Sequence, residues 1–290
     1  MNARHHPVVE HDAEQEGLIL DMLDRFLAVE VKPHVHRLEH DDEYPAEIVE
    51  KMKEMGLFGC LISPDYGGLG LSTVTYAKII ERMSAVWMSI SGIINSHLIM
   101  AMAVQRAGTE EQKRKYLPRF ATGELRGGVG LTEPDAGTDL QAIRTVARRE
   151  GDHYVVNGTK MWITNSLHGN CLALLVKTDT KAEPRHKGMS LLIAEKGEGF
   201  IVSKKLEKLG YKASTPARWR SRTTACPSTV WSAVSRARAC SRCWAAWSSV
   251  ASTSRPADWA SRRRRWTKPW PIRRCARPSA SPSASTRPSS

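Results

Sequence analysis

The sequence predicts an α+β multidomain chain, with an all-α N-terminal domain over residues 1–125 and an all-β domain from residue 126. Two observations carry this. Apolar residues recur at helical spacing through the N-terminal part, and from Arg126 the period falls to two. A third sets the limit. After Ala213 the composition changes abruptly, and residues 214–290 read as a separate tail rich in Arg, Ser and Trp.

The elements follow in order. Residues 11–32 read as an amphipathic helix carrying Leu18, Leu20, Met22, Leu23, Phe26 and Leu27, with Pro33 as its end. Pro45 opens a second helix that turns Ile48, Val49, Met52 and Met55 inward and stops at Gly56. After a turn at residues 66–70, Ser72 caps a third helix through Ile79, Ile80 and Met83. Residues 88–106 form a buried helix closed by Gly108. Thr109 with Gln112 makes a capping-box pattern for a short helix that runs into Pro118. Strands are predicted at 127–132, 142–149, 153–157, 160–164, 171–178 and 189–195, with tight turns at Gly151-Asp152 and Asn157-Gly158. Short strands joined by tight turns, with no helices between them, make a small barrel or a sandwich.

The formal net charge of +13, taken alone, points to nucleic acid or an anionic membrane. Its distribution removes that inference. Of 43 basic and 30 acidic residues, 16 basic and one acidic lie after Ala213, which leaves 27 against 29 before it. The first 213 residues are an ordinary, slightly acidic, enzyme-like chain, and neither a nucleic-acid nor a membrane partner is expected. Cys60 and Cys171 stand alone in apolar runs, as buried thiols do in a reducing compartment. Residues 1–17 are polar and acidic, unlike a signal peptide. The apolar run 88–104 is interrupted by Ser89, Ser91, Asn95, Ser96 and His97, which suits a buried helix better than a membrane span. A cytoplasmic protein with no bound metal is expected.

Two stretches carry the chemistry. In Gly128-Val129-Gly130-Leu131-Thr132-Glu133-Pro134-Asp135-Ala136-Gly137-Thr138-Asp139, a short β run is turned by Pro134 and Gly137. Such a turn presents backbone N–H groups and the Thr132 and Thr138 hydroxyls to one spot, which suits an anion. In Gly158-Thr159-Lys160-Met161-Trp162-Ile163-Thr164-Asn165, Met161 and Ile163 alternate with Trp162 and Thr164. A Trp beside a Thr can cover an aromatic ligand and bond its polar edge. The glycines of Ser63-Pro64-Asp65-Tyr66-Gly67-Gly68-Leu69-Gly70-Leu71-Ser72 lack phosphate-loop spacing and read as a structural turn.

These stretches, together with Lys208-Leu209-Gly210, resemble the acyl-CoA dehydrogenase family in motif, order and spacing, over residues 10–212. The resemblance implies a helical N-terminal domain, a middle β-barrel domain (126–213, truncated) and FAD at their junction. It implies an oxidoreductase that converts an acyl-CoA to its trans-2-enoyl form and passes electrons to electron-transfer flavoprotein, usually as a homo-oligomer. Carried over residue by residue, Val129, Gly130, Leu131, Thr132, Glu133, Pro134, Gly137 and Thr138 line the cofactor, with Trp162 on a flavin face, Ile163 beside it and Thr164 near N5. Thr138 also reaches the substrate. Where the family often has Ser, Thr138 keeps the hydroxyl with a stiffer χ1. The family's base is a glutamate of its C-terminal helical domain. No Glu follows Glu207 here, so no catalytic base is nominated. Alternatives are a non-catalytic flavin-binding remnant and an acyl-CoA oxidase or flavin monooxygenase of the same fold.

The C-terminal helical domain is expected to be absent or scrambled. Residues 214–290 hold seven of the nine Trp but no Leu, Gly, Glu or Phe, a composition of neither a folded domain nor a natural disordered tail. An Arg-rich nucleic-acid tail around residues 262–265 and a redox or metal pair at Cys240 and Cys243 are weaker accounts. Arg, Ser, Ala, Pro, Trp and Cys dominate when GC-rich DNA is read out of frame. At one common offset, allowed codons turn residues 215–227 into T-C-E-V-A-L-E-D-Y-R-V-P. Residues 243–255 become L-G-G-L-E-L-G-R-I-N-V-A, and residues 274–290 become V-R-K-T-F-G-K-P-I-C-E-H-Q-A-I-Q. All three look like successive family segments, so a frameshift near residues 212–214 is expected, and the tail is expected to pack poorly on the rest.

Overall fold

The computed structural model describes residues 13–214 and 217–227. Helix α1 (Ala13–Phe26) does not end at Pro33. A π-helical turn (Leu27–Val31) and a 3-10 turn (Lys32–His34) carry the chain into α2 (Val35–His40). Pro33 falls at the start of the 3-10 turn, where a missing N–H costs nothing. The wider turn before it, closed by Lys32 N on Leu27 O, makes room for the ring. Helix α3 (Ala46–Glu54) follows Pro45 and gives way to Gly56 at φ +70°, the left-handed stop that Gly adopts most cheaply.

The two predicted middle helices are one element, α4 (Thr73–Ala107), broken at Trp87 with φ −156° and ψ 107°. Ser72 Oγ caps it, accepting from Thr75 N at 3.1 Å. Glu39 of α2 braces the break, accepting from Trp87 Nε1 at 2.9 Å and Ser89 Oγ at 3.0 Å. Among the described residues α4 is the one helix long and apolar enough to cross a membrane, and 61% of its apolar window is buried within the fold. Helix α5 (Glu110–Ala121) has the full capping box: Gln112 N donates to Thr109 Oγ1 at 3.2 Å and Thr109 N to Gln112 Oε1 at 2.9 Å. It runs past Pro118 rather than ending there.

The β part is one seven-stranded curled sheet. Its strands are β1 (Gly127–Gly130), β2 (Val146–Glu150), β3 (His153–Ile163), β4 (Cys171–Lys177), β5 (Met189–Glu195), β6 (Phe200–Lys205) and β7 (Ala217–Pro227). The order is β1-β4-β2-β3-β7-β6, with β5 on β4. The expected hairpin at Asn157-Gly158 does not form. The dipeptide lies inside β3, where the register against β7 slips, so it makes a bulge. β3 has β2 on one side and β7 on the other, and this pairing overrides the local turn preference.

Strand β7 also corrects an expectation. Residues 217–227 do not lie loosely on the fold; they pair with β3 along its length and with β6. Ala217 and Trp219 are buried while Arg218 and Arg220 are exposed. Trp219 meets Phe200 edge-on at 5.8 Å. Ladder bonds use backbone atoms, so a strand needs only apolar groups at alternate positions to join a core. Residues 228–290 lie outside the described residues. Helices and sheet belong to one compact unit. Asn165 after β3 ties them, its side-chain amide donating to Ile93 O of α4 at 2.8 Å and Gly127 O of β1 at 2.9 Å.

Candidate functional site

Beyond β1 the chain turns tightly. Glu133 N donates to Ala136 O at 2.8 Å and Ala136 N to Glu133 O at 3.3 Å, with Pro134 and Asp135 at the tip. Met161 N of β3 donates to Thr132 O at 2.8 Å, which places Thr132 beside the residue that precedes Trp162. The two stretches singled out from the sequence therefore form one site.

The backbone of β3 is unusual at its end. Trp162 has φ +61° and Asn165 φ +65°, a region costly for a bulky side chain. Trp162 stays 54% exposed while its neighbour Ile163 is buried. Close packing from α4 supports it: a Cβ on Gly128 would meet Ser96 Oγ at 2.5 Å and collide with Thr164 O.

The predicted site residues divide by exposure. Thr132 and Thr164 are half-buried, and Pro134, Gly137, Thr138 and Trp162 are exposed. Among the described residues the hydroxyls of Thr132, Thr138 and Thr164 have no hydrogen-bond partner. Val129 and Leu131 are half-buried against the helical side of the core. Gly130, Glu133 and Ile163 face inward: a Cβ on Gly130 would meet the Leu174 side chain at 2.8 Å, and Ile163 lies in the sheet core. The Glu133 side chain thus supports the turn from behind rather than lining a ligand.

Sequence reasoning missed that support. Lys160 is fully buried in β3, and its ammonium donates to Glu133 Oε1 at 2.8 Å and to Leu131 O at 3.0 Å. Glu133 also accepts from Thr145 N at 3.0 Å, Thr145 Oγ1 at 2.5 Å and Arg144 N at 2.6 Å. Burial alone raises a carboxyl, but the bonds from Lys160, Thr145 and Arg144 N outweigh it and hold Glu133 below the usual carboxylate range. Burial pushes Lys160 down to about 8, against the pull of Glu133. Both carboxylates of the turn are committed, since Asp135 pairs with Arg144 at 3.1 Å. The only sequence signal for this was a Lys at an inward strand position.

An exposed indole held in a costly conformation, with the uncommitted hydroxyls of Thr132 and Thr164 on neighbouring chain, fits a flat aromatic ligand with polar edges. A helical domain is followed by a curled sheet, with this site at the join. Family models for the acyl-CoA dehydrogenase N-terminal and middle domains match residues 13–124 and 128–219. A short-chain-specific acyl-CoA dehydrogenase of Clostridium acetobutylicum is 42% identical over 205 residues, 70% of this chain and 53% of the relative. An acyl-CoA dehydrogenase structure from Geobacillus kaustophilus superposes with TM-score 0.71 at 35% identity, covering 76% of this chain and 58% of that one. A glutaryl-CoA dehydrogenase from Mycobacterium smegmatis, in complex with FADH2, superposes with TM-score 0.70 at 27% identity, covering 80% and 59%. The chain belongs to the acyl-CoA dehydrogenase family. It spans about half the length of the curated relatives it matches.

Proposed function

We propose that this chain carries the FAD-holding part of an enzyme for the α,β-dehydrogenation of an acyl-CoA thioester to the trans-2-enoyl-CoA, with electron-transfer flavoprotein as acceptor, and that the 290-residue polypeptide as written does not itself turn over. The observation that carries this is the juxtaposition of Thr132 and Trp162 through the Met161 N to Thr132 O bond. When bound, the flavin supplies a hydride acceptor. Trp162 would cover one face of the ring and keep water from it. The Thr132 and Thr164 hydroxyls would bond its polar edge and fix its orientation, and the Thr138 hydroxyl would serve the pyrophosphate and the substrate. The α-proton needs a carboxylate, and Glu133 is buried and held by Lys160. A cytoplasmic location is part of the same reading, and the buried free thiols Cys60 and Cys171 support a reducing compartment.

On this reading the 290-residue polypeptide binds flavin without turning over, its tail being a frame-shifted copy of the family's C-terminal part. Both the composition break after Ala213 and the end of the family match at residue 219 favour it. The deciding experiment expresses the 290-residue chain beside a frame-restored version and supplies both with FAD, an acyl-CoA series and an artificial electron acceptor. The expected result is flavin bound by both and turnover by the restored chain alone. Loss of general-base catalysis removes about 10²–10⁴ of rate, so comparable turnover by both would overturn this account of the missing base.

A further inference from the structure

The Lys160–Glu133 pair grips the turn on both sides of Thr132. One buried ammonium bonds the carbonyl oxygen of Leu131 and the carboxylate of Glu133, and Met161 N bonds the Thr132 carbonyl between them. Three successive residues of the turn are thereby tied to two successive residues of β3, and the Thr132 side chain is left half-buried at the site. The Leu131 carbonyl belongs to the same peptide group as the Thr132 N–H. A cation on that oxygen draws electron density through the peptide and makes the N–H a stronger donor. A buried ion pair is a poor source of stability in itself, because replacing both charges by apolar groups is often neutral or favourable. Its clearest consequence here is geometric and electronic.

Resting on the flavin reading above, we propose that Lys160 is a positioning residue for the cofactor: through Leu131 O and Glu133 it sets the aim of the Thr132 hydroxyl and polarises the Leu131–Thr132 peptide toward the flavin. It does this without touching the cofactor itself, since its side chain is fully buried behind the turn. Burial pushes its ammonium down to about 8, and the Glu133 carboxylate opposes that fall. The pair thus holds the charge in place near neutral pH.

The test compares the full 290-residue chain with Lys160→Met and with the double variant Glu133→Gln/Lys160→Met. FAD affinity is read from quenching of flavin fluorescence, cofactor environment from the visible flavin absorption band, and folding from thermal melting without FAD. The single variant strands a buried carboxylate and is expected to melt earlier. The double variant removes both charges and is expected to regain the wild-type melt. It is nevertheless expected to bind FAD about tenfold more weakly, the worth of one charge-assisted bond, with a shifted absorption band. Wild-type affinity and spectrum in a folded double variant would overturn the proposal, and so would a double variant that does not fold, since the pair would then be a folding element. A wild-type chain that melts cooperatively but binds no FAD would overturn the flavin reading itself, and this inference with it.

Discussion

The hydroxyl of Tyr211 occupies the position that a Cβ on Gly92 would take. Tyr211 has φ +61° and is fixed from the other side by Lys208, whose ammonium lies 4.3 Å over the ring and donates to Tyr211 O and, at 2.8 Å, to Ser214 Oγ. The Lys208-Leu209-Gly210 motif thus locks an aromatic ring onto the middle of α4. Gly92→Ala improves helix propensity by about 1 kcal/mol, yet it must displace that ring, and overpacking of this kind costs about 1–3 kcal/mol. A net loss of stability is expected in thermal melting. Tyr211→Phe in the same chain removes only the nearest atom, since Cζ and, at 2.7 Å, Cε2 would still crowd that Cβ, and is expected to recover little of the loss; full recovery would show that the hydroxyl alone is the obstacle.

His97 gives the fold an acid limit. Its ring is fully buried against Phe58 and Phe120, which it meets edge to face, Nε2 donates to Phe120 O at 3.0 Å, and among the described residues Nδ1 has no hydrogen bond of good geometry. Burial lowers its pKa to about 4 from an ordinary 6.5. Between those values the unfolded chain binds more protons than the folded one. Stability therefore rises with pH through this window, and it is lost as pH falls from 6.5 to 4. His168, stacked on Tyr44 at 3.8 Å, is lowered too, by partial burial and by Arg126, but the residue is exposed, so its share of the slope is smaller. Urea melts across this range are expected to show a shallower pH dependence in His97→Phe, with the His168 share remaining. An unchanged slope would remove His97 from the account.

Signals confined to one turn of chain were legible in the sequence. Ser72 and the Thr109–Gln112 box cap helices where expected, because a cap involves only neighbours within three residues. Preferences opposed by tertiary pairing were not. Pro33 is absorbed by the π and 3-10 turns, and Asn157-Gly158 is flattened into a strand with partners on both sides. The Thr132 and Trp162 neighbourhood was legible as two motifs, but the Glu133–Lys160 pair behind it was not. Its members are 27 positions apart, and no local pattern marks a Lys whose charge is answered across a sheet.

Strand β7 separates two accounts of the residues after Ala213. If residues 217–227 are part of the working core, Trp219→Ala opens a cavity beside Phe200, at a cost of about 3–5 kcal/mol. The expected outcome is a large fall in the melting midpoint of the 290-residue chain. A midpoint within a degree of wild type would show that the sheet does not depend on this strand.

Trp162 is where stability and function are expected to part. Its φ of +61° is a conformation in which an L side chain costs about 1–2 kcal/mol. It is half-exposed, and the half it buries offsets about that cost within the chain. Replacing it with Gly removes the strain but enlarges the freedom of the unfolded chain, an opposing term of about 0.4–1 kcal/mol. Trp162→Gly is therefore expected to lower the thermal midpoint only modestly, because relief of the strain offsets most of the lost burial. If the indole covers a flavin face, the same change exposes the ring to water and weakens FAD binding by tenfold or more, since stacking on an aromatic side chain contributes about 1–3 kcal/mol. Trp162→Phe keeps a ring at the same strained position, so its melt should match wild type while its FAD affinity lies between the other two. Fluorescence titration with FAD beside thermal melting of all three chains checks both halves. A Trp162→Gly chain that melts much earlier would mean the indole is structural, and one that binds FAD as wild type does would move the flavin away from Trp162.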